Sequence, residues 1–149
     1  MNTDEFWNLI AKIDVAALDH GNDEAAVYPL QLALAGKNEE FLTDFEEMLS
    51  STLYALDGEI YAKNAGDSGG SDDGFLYARC YVVAKGRKFY ETVLAYPKKM
   101  PKSIEQWCES LLYAHRRAWA ELTGKDESDW PFSASVSYES GSNENLWSR

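Results

Sequence analysis

The sequence predicts an all-α protein: a single-domain bundle of about five helices over residues 1–124, with an extended or loosely docked tail over 125–149. Three observations predict it. Apolar residues recur at intervals of three and four along most of the chain. Capping residues precede several of those runs and glycines follow them. The one stretch that alternates with period two, "FSASVSY" at 132–138, has no second strand to pair with. A chain of 149 residues suits one core and needs no staple.

The elements follow in order. Asn2 caps a first helix, with Glu5 as its capping-box partner; Phe6, Ile10, Ile13 and Ala17 share a face, and Gly21 ends it. Residues 22–36 carry Val27, Leu30 and Leu34 at helical spacing, and Pro29 implies a kink or a start near residue 28. Asn38 opens a long helix with the stripe Phe41, Phe45, Leu49, Thr52, Leu53, Leu56 and Ile60, stopped by Gly66. A fourth helix carries Phe75, Ala78, Val82, Phe89 and Val93 inward and ends before Pro97. After the basic connector "PKKMPK", a second capping box, Ser103 with Gln106, opens a helix lined by Ile104, Trp107, Leu111, Ala114, Ala118 and Leu122 and stopped by Gly124.

Charge is unevenly spread. The formal net charge is -11, and residues 1–73 hold 16 acidic against 3 basic residues, whereas residues 79–102 hold 7 basic and 1 acidic. Such a chain repels phosphate and attracts a basic protein. A nucleic-acid partner is not expected, nor is a membrane one, because no stretch approaches 18 apolar residues. The N-terminal "MNTDEFWNLI" has neither a basic region nor an unbroken apolar run, which predicts a cytoplasmic protein. Cys80 and Cys108 have no CxxC or histidine neighbour and read as packed free thiols.

The stretch "GDSGGSDDGF" at 66–75 raises the question of catalysis. Gly66–Gly70 spells the loop around a trypsin-like serine nucleophile. Ser68 nevertheless lacks a general base: His20 and His115 both fall in helical segments without the local sequence of a catalytic histidine. A phosphate cradle is disfavoured by Asp72 and Asp73, which complement the helix dipole and repel an anion. The offsets of Asp67, Asp72 and Asp73 do not match a calcium loop. No metal and no cofactor are expected. The simplest reading makes Ser71 an N-cap, Asp72 and Asp73 first-turn acids, and Gly69-Gly70 a turn with unusual backbone angles. Asp72, Arg79 and Gly86 are spaced by seven and fall on one helix face, with Gly86 admitting a close neighbour.

The same region, "GGSDDGFLYARCYVVAKGRKFYETVLAYP" at 69–97, resembles the hallmark segment of the mainly bacterial family of unknown function DUF4240. The matching positions are Ser71, Asp72, Asp73, Gly74, Phe75, Tyr77, Arg79, Gly86 and Arg87. "DEFWNLI" and "AELTG" extend the resemblance over roughly residues 4–124. Ala78 replaces the family's usual aromatic, Tyr81-Val82-Val83 its tryptophan-led triplet, and one residue between the glycines and the serine is missing. The resemblance implies a helical fold and brings no reaction. By analogy with small domains encoded beside secreted toxins, it implies an immunity role.

Two function classes follow. One is an acidic protein-binding domain, such as an immunity-type inhibitor of a basic toxin, acting through Glu39, Glu40, Asp44, Glu46 and Glu47, which fall off the apolar stripe of their helix. The alternative is an enzyme or small-ligand binder built on a polar groove of Ser71, Asp72, Asp73, Arg79 and Arg87. The first requires an open acidic surface, the second a concave site on which the motif side chains converge.

Overall fold

The computed structural model describes residues 1–148; Arg149, the last residue of the expected tail, lies outside the described residues. The described residues form α-helices and short 3₁₀ turns with no strand. They contain eight α-helices rather than about five, because three of the expected long helices are broken and a fourth is shortened. The helices are α1 (Thr3–Ile10), α2 (Val15–Asp19), α3 (Asp23–Leu34), α4 (Glu39–Ala55), α5 (Glu59–Lys63), α6 (Asp72–Ala84), α7 (Arg87–Ala95) and α8 (Ala114–Thr123).

Each difference has a local cause. Asp14 caps α2, its Oδ1 accepting from the Ala17 N–H at 3.2 Å, while its own N–H donates to the Ala26 carbonyl. The first helix therefore breaks, yet Phe6, Ile10 and Ile13 all remain buried. In the second, Pro29 lies inside α3 without delaying its start, since Asn22 caps it through the Ala25 N–H. Proline forfeits one backbone bond there, and burial of Ala26, Val27, Leu30 and Leu34 outweighs that loss. The long third helix stops at Leu56, and the buried corner Leu56-Asp57-Gly58 turns the chain into α5. Ile60 is consequently 56% exposed instead of continuing the stripe.

The fourth helix breaks at Gly86, whose φ of 107° suits glycine. A Cβ there would meet no atom within 4 Å, so Gly86 serves the backbone turn and not the close approach of a neighbour. Residues 103–113 are not α-helical. Two of their donors are taken from outside: the Cys108 N–H by the Tyr77 carbonyl and the Ser110 N–H by the buried Asp23 carboxylate at 2.8 Å. Gly124 does end α8, in the left-handed conformation at φ 73°.

One contiguous core joins all these elements. At its centre is α6, which buries Phe75, Leu76, Ala78, Arg79, Cys80, Tyr81, Val82, Val83 and Ala84, almost its whole circumference. It contacts α4 and α7, while α3 and α4 both pack on α8. Beyond α8 the described residues form no α-helix, and Trp130, Tyr138 and Trp147 pack the tail against the core.

Candidate functional site

Ser71 is the N-cap of α6. Its backbone is extended and its Oγ accepts from the Gly74 N–H at 3.0 Å. Asp72 and Asp73 sit exposed in the first turn. The turn before them differs in one respect from the sequence reading: neither Gly69 nor Gly70 has a positive φ. A Cβ on Gly69 would overlap the Ala62 carbonyl oxygen, so this glycine permits the Gly66–Gly70 turn to lie against the end of α5. Ser68, within that turn, is buried.

Arg79 projects from α6 into the interior and is fully buried. Its Nη1 donates to the Leu53 carbonyl at 3.0 Å, and its Nη2 to the Tyr138 carbonyl at 2.9 Å and the Ser140 Oγ at 3.0 Å. The guanidinium lies 4.6 Å from the Phe75 ring centre. Burial lowers the pKa of Arg79, and the nearby Asp57 carboxylate opposes that shift. The Ser140 hydroxyl in turn donates to the Asp72 carbonyl at 2.7 Å. The motif helix therefore touches the tail through an arginine side chain and an aspartate backbone.

Arg87 is placed elsewhere. It is exposed at the start of α7, with Nη1 donating to Asp4 at 2.7 Å and Nε to Glu91 at 2.9 Å. Ser71, Asp72, Asp73 and Arg87 thus lie at the surface and Arg79 lies inside. These five do not converge on one open space.

The acidic residues of α4 also divide. Glu39, Glu40 and Asp44 are exposed, and the chain's own N-terminus approaches Asp44 at 3.8 Å. Glu46, expected on the same surface, is only 2% exposed. The stripe it should avoid is wider than expected, because α8 and the tail cover a second face of α4. Its Oε1 accepts from His115 Nε2 at 2.8 Å and from Arg116 at 2.9 Å, and its Oε2 from the Trp130 indole at 3.0 Å. Burial raises the pKa of Glu46, but these donors and the Arg116 charge together hold it below the ordinary carboxylate value. Burial dominates at His115, lowering its pKa despite the carboxylate and keeping the ring neutral. Glu47 is half-buried and accepts from the Ser135 N–H at 2.9 Å and from its hydroxyl.

Asp57 is the functional-looking residue that the sequence reading missed. It is fully buried. Oδ1 accepts from the Gly141 N–H at 2.9 Å and the Trp147 indole at 3.0 Å, and Oδ2 from the Asn143 N–H at 2.9 Å. The available signal was the Asp57-Gly58 pair, a turn dipeptide inside an otherwise helical run. Lys102, at the end of the basic connector, donates to the carbonyls of Asn64, Lys98 and Met100.

No group of three or more His, Cys, Asp or Glu side chains positioned to hold a metal occurs among the described residues. No helix among them is long and apolar enough to cross a membrane.

The fold and the site together define a helical protein in which the buried Glu46, Asp57 and Arg79 bind its own C-terminal segment, while Glu39, Glu40 and Asp44 face solvent. A family model described as "Protein of unknown function (DUF4240)" matches residues 1–121, and the chain belongs to that family. No curated protein and no solved structure matches it.

Proposed function

We propose that this protein is a single-domain, acidic protein-binding module acting in the cytoplasm, where it neutralises a basic partner in the manner of an immunity protein against a secreted toxin. One observation carries the reading. Glu39, Glu40 and Asp44 stand exposed at the start of α4, and no lysine or arginine pairs with them among the described residues. Two uncompensated carboxylates, Glu39 and Glu40, with Asp44 beside them sharing its charge only with the N-terminal ammonium, steer a cationic surface. The contact face is smaller than the sequence suggested, because Glu46 and Glu47 are committed to α8 and the tail.

The alternative, a catalytic or ligand groove at Asp72, Arg79 and Arg87, has less support. Arg79 already directs Nη1 and Nη2 to Leu53, Tyr138 and Ser140 inside the protein, and Arg87 pairs with Asp4 and Glu91.

Affinity capture from lysate of the source cells, followed by binding kinetics with the captured protein, tests this reading. Association should slow between low and high salt, since screening acts over about 8 Å at physiological ionic strength. Glu39→Lys with Glu40→Lys and Asp44→Lys should slow it further without unfolding the protein. A folded triple variant that associates at the original rate in both salts would refute the acidic-face reading.

A further inference from the structure

A second surface carries the opposite charge. Between α5 and the end of α7 lies a groove of about 420 Å³, lined by Ile60, Ala95, Tyr96, Pro97, Lys98 and Lys99. Ile60 is 56% exposed and Tyr96 65% exposed, an unusual outlay of apolar surface for two neighbouring walls. A shallower depression continues from Ala95 and Tyr96 along α7 past Lys88.

The walls of this groove are fixed. The Tyr61 hydroxyl donates to the Leu94 carbonyl at 2.7 Å, joining α5 to the last turn of α7. Lys102 Nζ bridges the Asn64 and Lys98 carbonyls at 2.9 and 2.8 Å, one from each wall. The groove therefore exists before anything binds, and a ligand loses little affinity to reorganisation.

Its chemistry selects an occupant. Lys88, Lys98 and Lys99 are exposed and form no ion pair among the described residues. They fall within the stretch 79–102, which holds 7 basic residues and 1 acidic in a chain of net charge -11. An apolar trough edged by free ammonium groups complements a segment that places a bulky apolar side chain between carboxylates. A concave site fits such a side chain, whereas a flat bilayer surface would rest on its rim.

We infer that this groove docks a short acidic peptide segment of a partner protein, with an apolar anchor seated between Ile60 and Tyr96 and carboxylates on Lys98 and Lys99. This surface is separate from the acidic start of α4, and the inference stands whether or not that face binds a basic partner.

A displayed library of short random peptides selected against the immobilised full-length protein tests it. Enriched peptides should carry Asp or Glu beside a large apolar residue. The most enriched one, labelled for fluorescence anisotropy, then serves as the probe. Ile60→Glu and the pair Lys98→Glu with Lys99→Glu should each weaken its binding by about tenfold or more, while Glu39→Lys with Glu40→Lys should not weaken it. Far-ultraviolet circular dichroism should show that all three variants stay folded, since every substituted side chain is exposed. The inference is overturned if selection enriches no peptide or only basic ones, if the folded Ile60 and lysine variants bind the probe normally, or if the protein cosediments with phosphatidylglycerol vesicles and takes up no acidic peptide.

Discussion

Arg79 and Asp57, both fully buried, hold the same tail at adjacent points: Arg79 donates to the Tyr138 carbonyl and the Ser140 hydroxyl, and Asp57 accepts from the Gly141 and Asn143 N–H groups. The cation comes from α6 and the anion from the corner between α4 and α5. Neither charge meets the other in a direct ion pair. Each instead satisfies backbone that would otherwise be buried without partners, and the opposite charges share one interior.

Arg79→Ala should therefore destabilise the protein by about 3–5 kcal/mol, since it leaves Asp57 buried without an opposing charge. Asp57→Asn should cost about 1–3 kcal/mol, because an amide cannot accept all three donors. Urea denaturation measures both. Hydrogen exchange should show the loss of protection concentrated at Gly141 and Asn143 in Asp57→Asn. A double-mutant cycle between the two sites should give a coupling energy above about 0.5 kcal/mol.

Stability should fall as the medium is acidified, and in two stages. Burial holds the folded-state pKa of His115 below its ordinary 6.5, so the unfolded chain takes up a proton there that the folded chain resists. Stability is then lost as pH falls below about 6.5. Glu46 is held below its ordinary 4.5, and its contribution, present above that value, is lost as pH falls through the lower folded one. Thermal melts between neutral and mildly acidic pH should decline for the native chain and flatten in His115→Gln. A native melting temperature that rises on acidification would contradict this assignment.

Cys80 and Cys108 should not react with Ellman's reagent in the folded protein. Both are fully buried, and burial pushes the Cys80 thiol up to about 12 and that of Cys108 well above its usual value. Both should titrate in denaturant. One equivalent released at the native state would mean that α6 or the turn after Trp107 opens.

The loop before α6 gives a graded series. Ser71→Ala should cost about 1 kcal/mol through the lost cap. Gly69→Ala should cost more, because its Cβ would overlap backbone at Ala62. Gly70→Ala, where a Cβ meets no atom within 4 Å, should be tolerated. Melting temperatures should rise in the order Gly69→Ala, Ser71→Ala, Gly70→Ala.

By itself the sequence determined the helical class, the N-caps Asn2, Asn38 and Ser71, the stop at Gly124, and most of the core. These features depend on neighbours within one or two turns, so periodicity and capping chemistry expose them. Apolar spacing also survives a break: Ile10 at the end of α1 and Ile13 in the turn that follows both stay buried, which is why the core was legible and the helix count was not. Only the tertiary structure decided what the charged residues do. Glu46, Asp57 and Arg79 look like solvent-facing or groove-lining groups in a linear reading, yet each is buried against partners from the tail or α8. Desolvation makes a buried charge depend on those distant partners, and no local pattern encodes where the chain will return to supply them.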